Sequence, residues 1–109
     1  MYINFKELKE LDLSYNNISD ISVLEKVKFE KLEKLDLSGN EISNTINIFE
    51  KVNFKELKIL NISSNNILDI SVLGKVKFEK LEKLYLGYNY IDRKEFSSII
   101  NNLKLKIIF

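Results

Sequence analysis

The chain has 109 residues, with 17 Lys and Arg against 16 Asp and Glu and a net charge of +1, so no overall field draws it to nucleic acid or an anionic membrane. It contains no Cys and no His, which excludes a disulfide framework, thiolate or imidazole catalysis and the commonest metal ligand. No apolar run approaches the ~20 residues of a membrane-spanning helix, and Met1-Tyr2-Ile3-Asn4-Phe5 lacks the plan of an export signal; no catalytic residue, metal or cofactor is expected.

The first predicted element begins at Phe5. Leu8-x-x-Leu11-x-Leu13-x-x-Asn16-x-Ile18 follows it, and the alternation Leu11-x-Leu13 predicts a short half-buried strand. Ile21, Leu24 and Val27 then recur every three residues, which predicts one inward-facing helical or 3₁₀ turn. Ser22-x-x-Glu25 has the form of a capping box at its start. The same order returns as Leu32, Leu35, Leu37, Asn40, Ile42, then as Leu57, Leu60, Ile62, Asn65, Ile67, and again as Leu81, Leu84, Leu86, Asn89, Ile91. The second copy carries Asn47-x-x-Glu50, a further capping-box form. The opening Phe5, Phe29, Phe54 and Phe78 are spaced by 24, 25 and 24 residues, giving repeats 5–28, 29–53, 54–77 and 78–102. Tandem copies at this period stack so that neighbours bury one continuous core. Asn16, Asn40, Asn65 and Asn89 are predicted to turn inward and satisfy backbone groups at the strand-to-loop bend.

The two ends depart from the pattern differently. Asp92-x-x-Glu95 is a capping box, and Phe96, Ile99, Ile100 and Leu103 fall at helical spacing, which predicts an amphipathic helix over about 93–101. The alternating stretch 103–109 predicts a fifth parallel strand, so 92–109 reads as a cap. At the other end, Ile3-Asn4-Phe5 matches Val52-Asn53-Phe54 in type and spacing. The chain therefore opens on the tail of a repeat, as a piece of a longer repeat protein would. No polar element covers Leu8, Leu11 and Leu13, which predicts an uncapped edge and self-association through it.

These residues resemble the leucine-rich repeat family, whose consensus is Leu-x-x-Leu-x-Leu-x-x-Asn-x-Leu. The spacing Ile18-x-x-Ile21-x-x-Leu24-x-x-Val27 is similar to the short-repeat subclass of a nuclear protein phosphatase 1 regulatory subunit and bacterial internalins, although repeats here are longer. The fold implied is an α/β right-handed solenoid, with a parallel sheet on its concave face and short helical or 3₁₀ turns on its convex face. The function implied is a non-catalytic protein-interaction module, a cytoplasmic scaffold by the first branch and a cell-surface adhesin by the second. A purely structural spacer is the remaining alternative. The absence of Cys and of an export signal favours the cytoplasm.

Residues between the core Leu of each strand point out of the concave sheet and form columns. One is Glu10, Lys34, Ile59, Lys83; the next is Asp12, Asp36, Asn61, Tyr85; Ser14, Ser38, Ser63, Gly87 and Tyr15, Gly39, Ser64, Tyr88 follow. In register, Lys104 and Lys106 would extend the first two. Repeats one and three open with Phe-Lys-Glu-Leu-Lys, whereas two and four share Phe-Glu-Lys-Leu-Glu-Lys-Leu, so the chain reads as a duplicated two-repeat unit. Between 29–42 and 78–91 only Asp36/Tyr85, Ser38/Gly87, Gly39/Tyr88 and Glu41/Tyr90 differ. Tyrosine joins broad apolar contact to a hydroxyl at low entropic cost. Tyr85, Tyr88 and Tyr90, with Lys83, Lys104 and Lys106 alongside, are therefore the predicted partner site, suited to an acidic, partly apolar protein surface. Asp12 and Asp36 form a conceivable carboxylate pair without an accompanying base or ligand set. Asn17-Ile18-Ser19 and Asn61-Ile62-Ser63 fit the glycosylation pattern at the level chance allows. The Glu/Lys-rich stretches (Glu30-Lys31, Glu33-Lys34, Glu79-Lys80, Glu82-Lys83) read as solvated faces with local charge pairing.

Overall fold

The computed structural model describes residues 5–76, 78–92, 94 and 105–109. Five three-residue strands lie within them: β1 (Glu10–Asp12), β2 (Lys34–Asp36), β3 (Ile59–Asn61), β4 (Lys83–Tyr85) and β5 (Lys106–Ile108). They form one sheet in the order β1-β2-β3-β4-β5, every pair parallel. Leu11, Leu35, Leu60, Leu84 and Ile107 lie in one register row. Main-chain bonds continue beyond the strands: the Leu13 N–H donates to Asp36, Tyr15 to Ser38, Gly39 to Ser63 and Ser64 to Gly87. Successive strands are joined through 3₁₀ helices at Ser22–Lys26, Asn44–Glu50 and Ser71–Gly74, the tighter of the two geometries that a three-residue apolar period allows.

The core lies between sheet and 3₁₀ turns. Leu35, Leu37, Ile42, Ile46, Leu57, Leu60, Ile62, Ile67 and Ile70 have no exposed surface, and each such side chain contributes about 1.5–3 kcal/mol through burial. The Phe that opens each repeat stacks on the next, with ring centroids 6.1, 6.2 and 6.4 Å apart from Phe5 through Phe29 and Phe54 to Phe78. The additional residue of repeat two is absorbed in the longest 3₁₀ helix, which carries Phe49 edge-on to Phe54 at 5.8 Å. The two ends of the core differ. Leu81, Leu84 and Leu86 are buried under β5, whereas Leu8, Leu11 and Leu13 are only half-buried.

Three sequence expectations are corrected. The 3₁₀ turns have no capping boxes: Ser22 and Asn47 lie inside the helices, and the N-cap residues Ile21 and Ser43 make no side-chain cap bond. Asp20 instead accepts the Ser22 N–H at 2.9 Å and Asp69 the Ser71 N–H at 2.8 Å. A 3₁₀ turn closes over three residues, so an Asx turn reaching two residues on fits its start. The fifth strand is present, but two residues out of the expected register: Lys106, not Lys104, pairs with Lys83, and Ile108 stands beside Tyr85. Alternation fixes which face a residue takes but is blind to a two-residue slip. Lys104 and the helix expected over 93–101 lie outside the described residues, apart from Lys94, whose N–H donates to Asp92. The third correction concerns charge pairing and belongs with the site.

Candidate functional site: the concave face and its turns

At the end of each strand the Asn column does the work of a turn. Asn40 is buried and uses both ends of its amide. Its Oδ1 accepts the N–H groups of Asn16 and Ile18 at 2.9 Å each, and its Nδ2 donates to the carbonyls of Leu13, Leu37 and Ser38. Asn65 repeats this with Ile42 as donor and Leu37, Ile62 and Ser63 as acceptors. Asn89 does so with Ile67, Ile62, Leu86 and Gly87. Each inward amide thus ties its own turn to the preceding repeat. The Asn16 side chain, in the first repeat, bonds only to the Leu13 and Ser14 carbonyls among the described residues.

The concave columns are less free than their sequence suggests. Asp12 accepts the Ser14 N–H, while Asp36 and Asn61 accept both the N–H and the hydroxyl of Ser38 and Ser63. The Ser14 hydroxyl, and after it the Ser14 N–H, hold Asp12 below the usual carboxylate range. These Asx–Ser turns end the strands, so the Asp12–Asp36 pair is structural. At β4 Tyr85 replaces the Asx residue and Gly87 the Ser. A Cβ on Gly87 would sit 2.7 Å from the Phe109 carbonyl carbon, so the Ser38/Gly87 difference is a packing requirement of the chain beyond β5 and not a solvent-facing change.

Tyr15, Gly39, Ser64 and Tyr88 do not belong to the strands. All four have left-handed backbone, with φ of 57°, 68°, 53° and 55°, and form the bend just before each Asn. Gly39 is glycine for a second reason: a Cβ there would collide with the Tyr15 ring. Among the described residues Tyr88 is the most exposed of the large apolar side chains at 88%, with Tyr90 at 68% on the loop after Asn89. Tyr85 is half-buried on the face opposite Leu84, between Asn61 and Ile108, and Lys83 stands exposed beside Lys106. The structure therefore brings Tyr85, Lys83 and Lys106 together on one face, with Tyr88 and Tyr90 on the bend above. It adds Ile108, which the register slip hid. It also places an exposed Tyr15 on the N-terminal half, so aromatic surface is not confined to one end.

The charged flank pairs between repeats rather than locally. Lys31 reaches Glu7 at 2.8 Å, Lys58 reaches Glu33 at 3.1 Å, Lys80 reaches Glu56 at 2.7 Å and Lys51 reaches Glu25 at 3.9 Å. The two-repeat unit is the cause. Three columns alternate in sign along the solenoid: Lys6, Glu30, Lys55, Glu79; Glu7, Lys31, Glu56, Lys80; and Lys9, Glu33, Lys58, Glu82. Identical repeats would stack like charge on like. Lys31 lowers the Glu7 pKa and Lys58 lowers that of Glu33, while both lysines are raised in return.

A hollow of about 530 Å³ lies away from the strands, lined by Glu25, Val27, Lys28, Phe29, Lys51 and Lys55 among others. Its charges are mixed, and Lys51 is already shared with Glu25. Among the described residues no group of three or more Asp and Glu is placed to hold a metal ion, and no helix is long and apolar enough to cross a membrane.

Comparison with known proteins agrees with this geometry. A family profile described as "Leucine Rich repeats (2 copies)" matches residues 6–51, and one described as "Leucine Rich Repeat" matches residues 56–75. Among solved structures, internalin C2 from Listeria monocytogenes is similar in fold, with a TM-score of 0.67 and 24% identity, over 94% of this chain and 42% of that one. The chain thus spans less than half the length of that protein. No curated protein sequence matches it.

Proposed function

This chain belongs to the leucine-rich repeat family, and we propose that it is a non-catalytic module binding a protein partner on the C-terminal half of its concave face. Domains of this kind present extended concave surfaces to protein partners. The site comprises Tyr85, Tyr88 and Tyr90 with Lys83 and Lys106, and Ile108 joins it; Lys104 was expected there from sequence alone. One observation carries the reading. Tyr88 combines a left-handed backbone with 88% exposure. A tyrosine there costs about 1–2 kcal/mol against glycine, and such strain persists where it serves a site. The sister position holds Gly39. Tyr15 and Ser64 bear the same strain, but the Tyr15 ring is used locally over Gly39 and Ser64 is half-buried with no ring to offer. Beside Tyr88 the two lysines supply positive field and Tyr85 with Ile108 apolar area, so the partner is acidic and partly apolar.

Affinity capture with the wild-type chain and the Tyr85→Ala/Tyr88→Gly double variant tests this, with circular dichroism confirming the fold. Loss of a specific partner from the double variant alone is expected. Capture that survives this variant but fails with Glu10→Ala and Asp12→Ala would place the site at the other end. Indifference to every concave substitution would favour the spacer. The proposed location is the cytoplasm; labelling of the protein on intact cells by a membrane-impermeant reagent would move it to the adhesin branch. Among the described residues no strand lies on the outer side of β1, and we propose that edge as a second surface, suited to self-association.

A further inference from the structure

We infer that the concave face is self-complementary, so that at high concentration the N-terminal half of one copy covers the proposed partner site of another, face to face, and competes with the partner. This rests on the partner site proposed above and adds its regulation. The first observation is charge. On β1 and β2 the outward residues are Glu10, Asp12, Lys34 and Asp36, three acids and one base, a net −2. On β3 they are Ile59 and Asn61, without charge, and on β4 and β5 they are Lys83, Tyr85, Lys106 and Ile108, two bases and a net +2. Neither Glu10 nor Lys83 has an ion-pair partner among the described residues. The site suits an acidic, partly apolar surface, and the other half of the same face is one: it is acidic and carries Tyr15, 77% exposed.

The second observation is how the columns read in reverse. A two-fold axis parallel to the strands, between β2 and β3, sets β1 of one copy over β4 of the other and β2 over β3, as in sheets stacked about 10 Å apart. Glu10 then faces Lys83. Asp12 faces the Tyr85 hydroxyl, and Asp36 faces Asn61, whose Nδ2 makes no bond among the described residues. Lys34 lies over Ile59, along which its methylene stem packs. In the bend column Tyr15, Gly39, Ser64 and Tyr88 run large, small, small, large, so the order of sizes is unchanged on reversal and Tyr15 meets Tyr88. No like charges meet in this overlap, and Lys106, paired beside Lys83, adds to the field on Glu10. Moving the axis onto β3 would set Lys34 over Lys83, and moving it onto β2 would set Lys34 over its own copy. Four strands about 4.8 Å apart, with six residues from Glu10 to Tyr15 along each, give roughly 400 Å² per copy. That is about half a standard interface, so the contact is weak and competes only when the chain is concentrated.

Sedimentation over a concentration series to millimolar protein, at low and high salt, tests the inference with Glu10→Lys and Lys83→Glu, each checked for fold by circular dichroism. Wild-type chains should pair, and less so at high salt. Either reversal alone sets like charges opposite at both symmetry-related positions and should weaken association roughly tenfold. An equimolar mixture of the two variants should recover it, because opposite charges then meet at both positions; a damaged fold in either variant cannot produce that recovery. Amide resonances of the wild-type chain should shift with concentration at residues 10–15 and 83–88 together, whereas partner binding centres on the second set. Wild-type chains that stay monomeric to millimolar concentration, or a mixture that associates no better than its components, would overturn the face-to-face contact and leave the partner site standing, since capture uses dilute chain. Partner capture that ignores Tyr85→Ala/Tyr88→Gly while the wild-type chain still pairs would overturn the partner site and with it the competition.

Discussion

Asn40 shows how much one side chain carries in this fold. Five hydrogen bonds converge on its amide from two adjacent repeats, so Asn40→Leu leaves buried N–H and C=O groups unpaired on both. A loss of about 3 kcal/mol is expected. Asn16→Ala removes only two local bonds at a solvent-facing turn and should cost under about 1 kcal/mol. Denaturant unfolding of the two variants measures the gap; equal losses would contradict the bridging role. The Asn spacing was legible in sequence because only a turn needs the same amide at the same place four times. The role of Asp36 was not, since an exposed acid and a turn acceptor look alike until Ser38 is seen donating to it. At Tyr88 the expectation is opposed effects: Tyr88→Gly relieves the left-handed backbone and should stabilise the chain by about 1 kcal/mol, while removing the ring the proposed partner uses.

Between elements, electrostatics fixes how repeats sit against one another. The alternating columns place an acid beside a base at successive steps of the stack, and the bridges are exposed, so their contribution is screened by salt. Glu56→Lys would set three lysines in a row with Lys31 and Lys80. It should lower the melting temperature, and Glu56→Lys/Lys80→Glu should recover part of the loss by restoring an opposite pair. Glu7 and Glu33 are held below the usual carboxylate range by Lys31 and Lys58, Asp20 by the Ser22 hydroxyl and then its N–H, and Asp69 by the Ser71 N–H and then its hydroxyl. A carboxylate with a folded pKa below its unfolded one adds stability that is present above the unfolded value and is lost as pH falls through the folded value. Melting temperature should therefore be flat from neutral pH to about 5 and fall below about 4. A thermal series in pH checks this, and a fall beginning above pH 6 would contradict it. The alternation was printed in the sequence as two kinds of repeat opening; only the stacking shows that it pairs repeats and not neighbours in the chain.

At the scale of the molecule, periodicity made most of the architecture readable. Leu11-x-Leu13 and its copies became parallel strands in one register, and the three-residue apolar period became 3₁₀ turns. The capping boxes failed because the helices are too short for them, and the β5 register failed because Leu103, Leu105 and Ile107 offer equivalent alternating frames. For the same reason Ile108 was overlooked in the site, and Gly87 was read as a surface change when it makes room for Phe109. The burial gradient from half-exposed Leu8, Leu11 and Leu13 to buried Leu81, Leu84 and Leu86 was anticipated at the N-terminal end. The central claim is that the C-terminal concave face recognises a protein partner, and amide resonance mapping during titration with the captured partner tests it most directly. The account predicts shifts centred on residues 83–90 and 106–108; shifts centred on 10–16, or on the 3₁₀ turns, would contradict it.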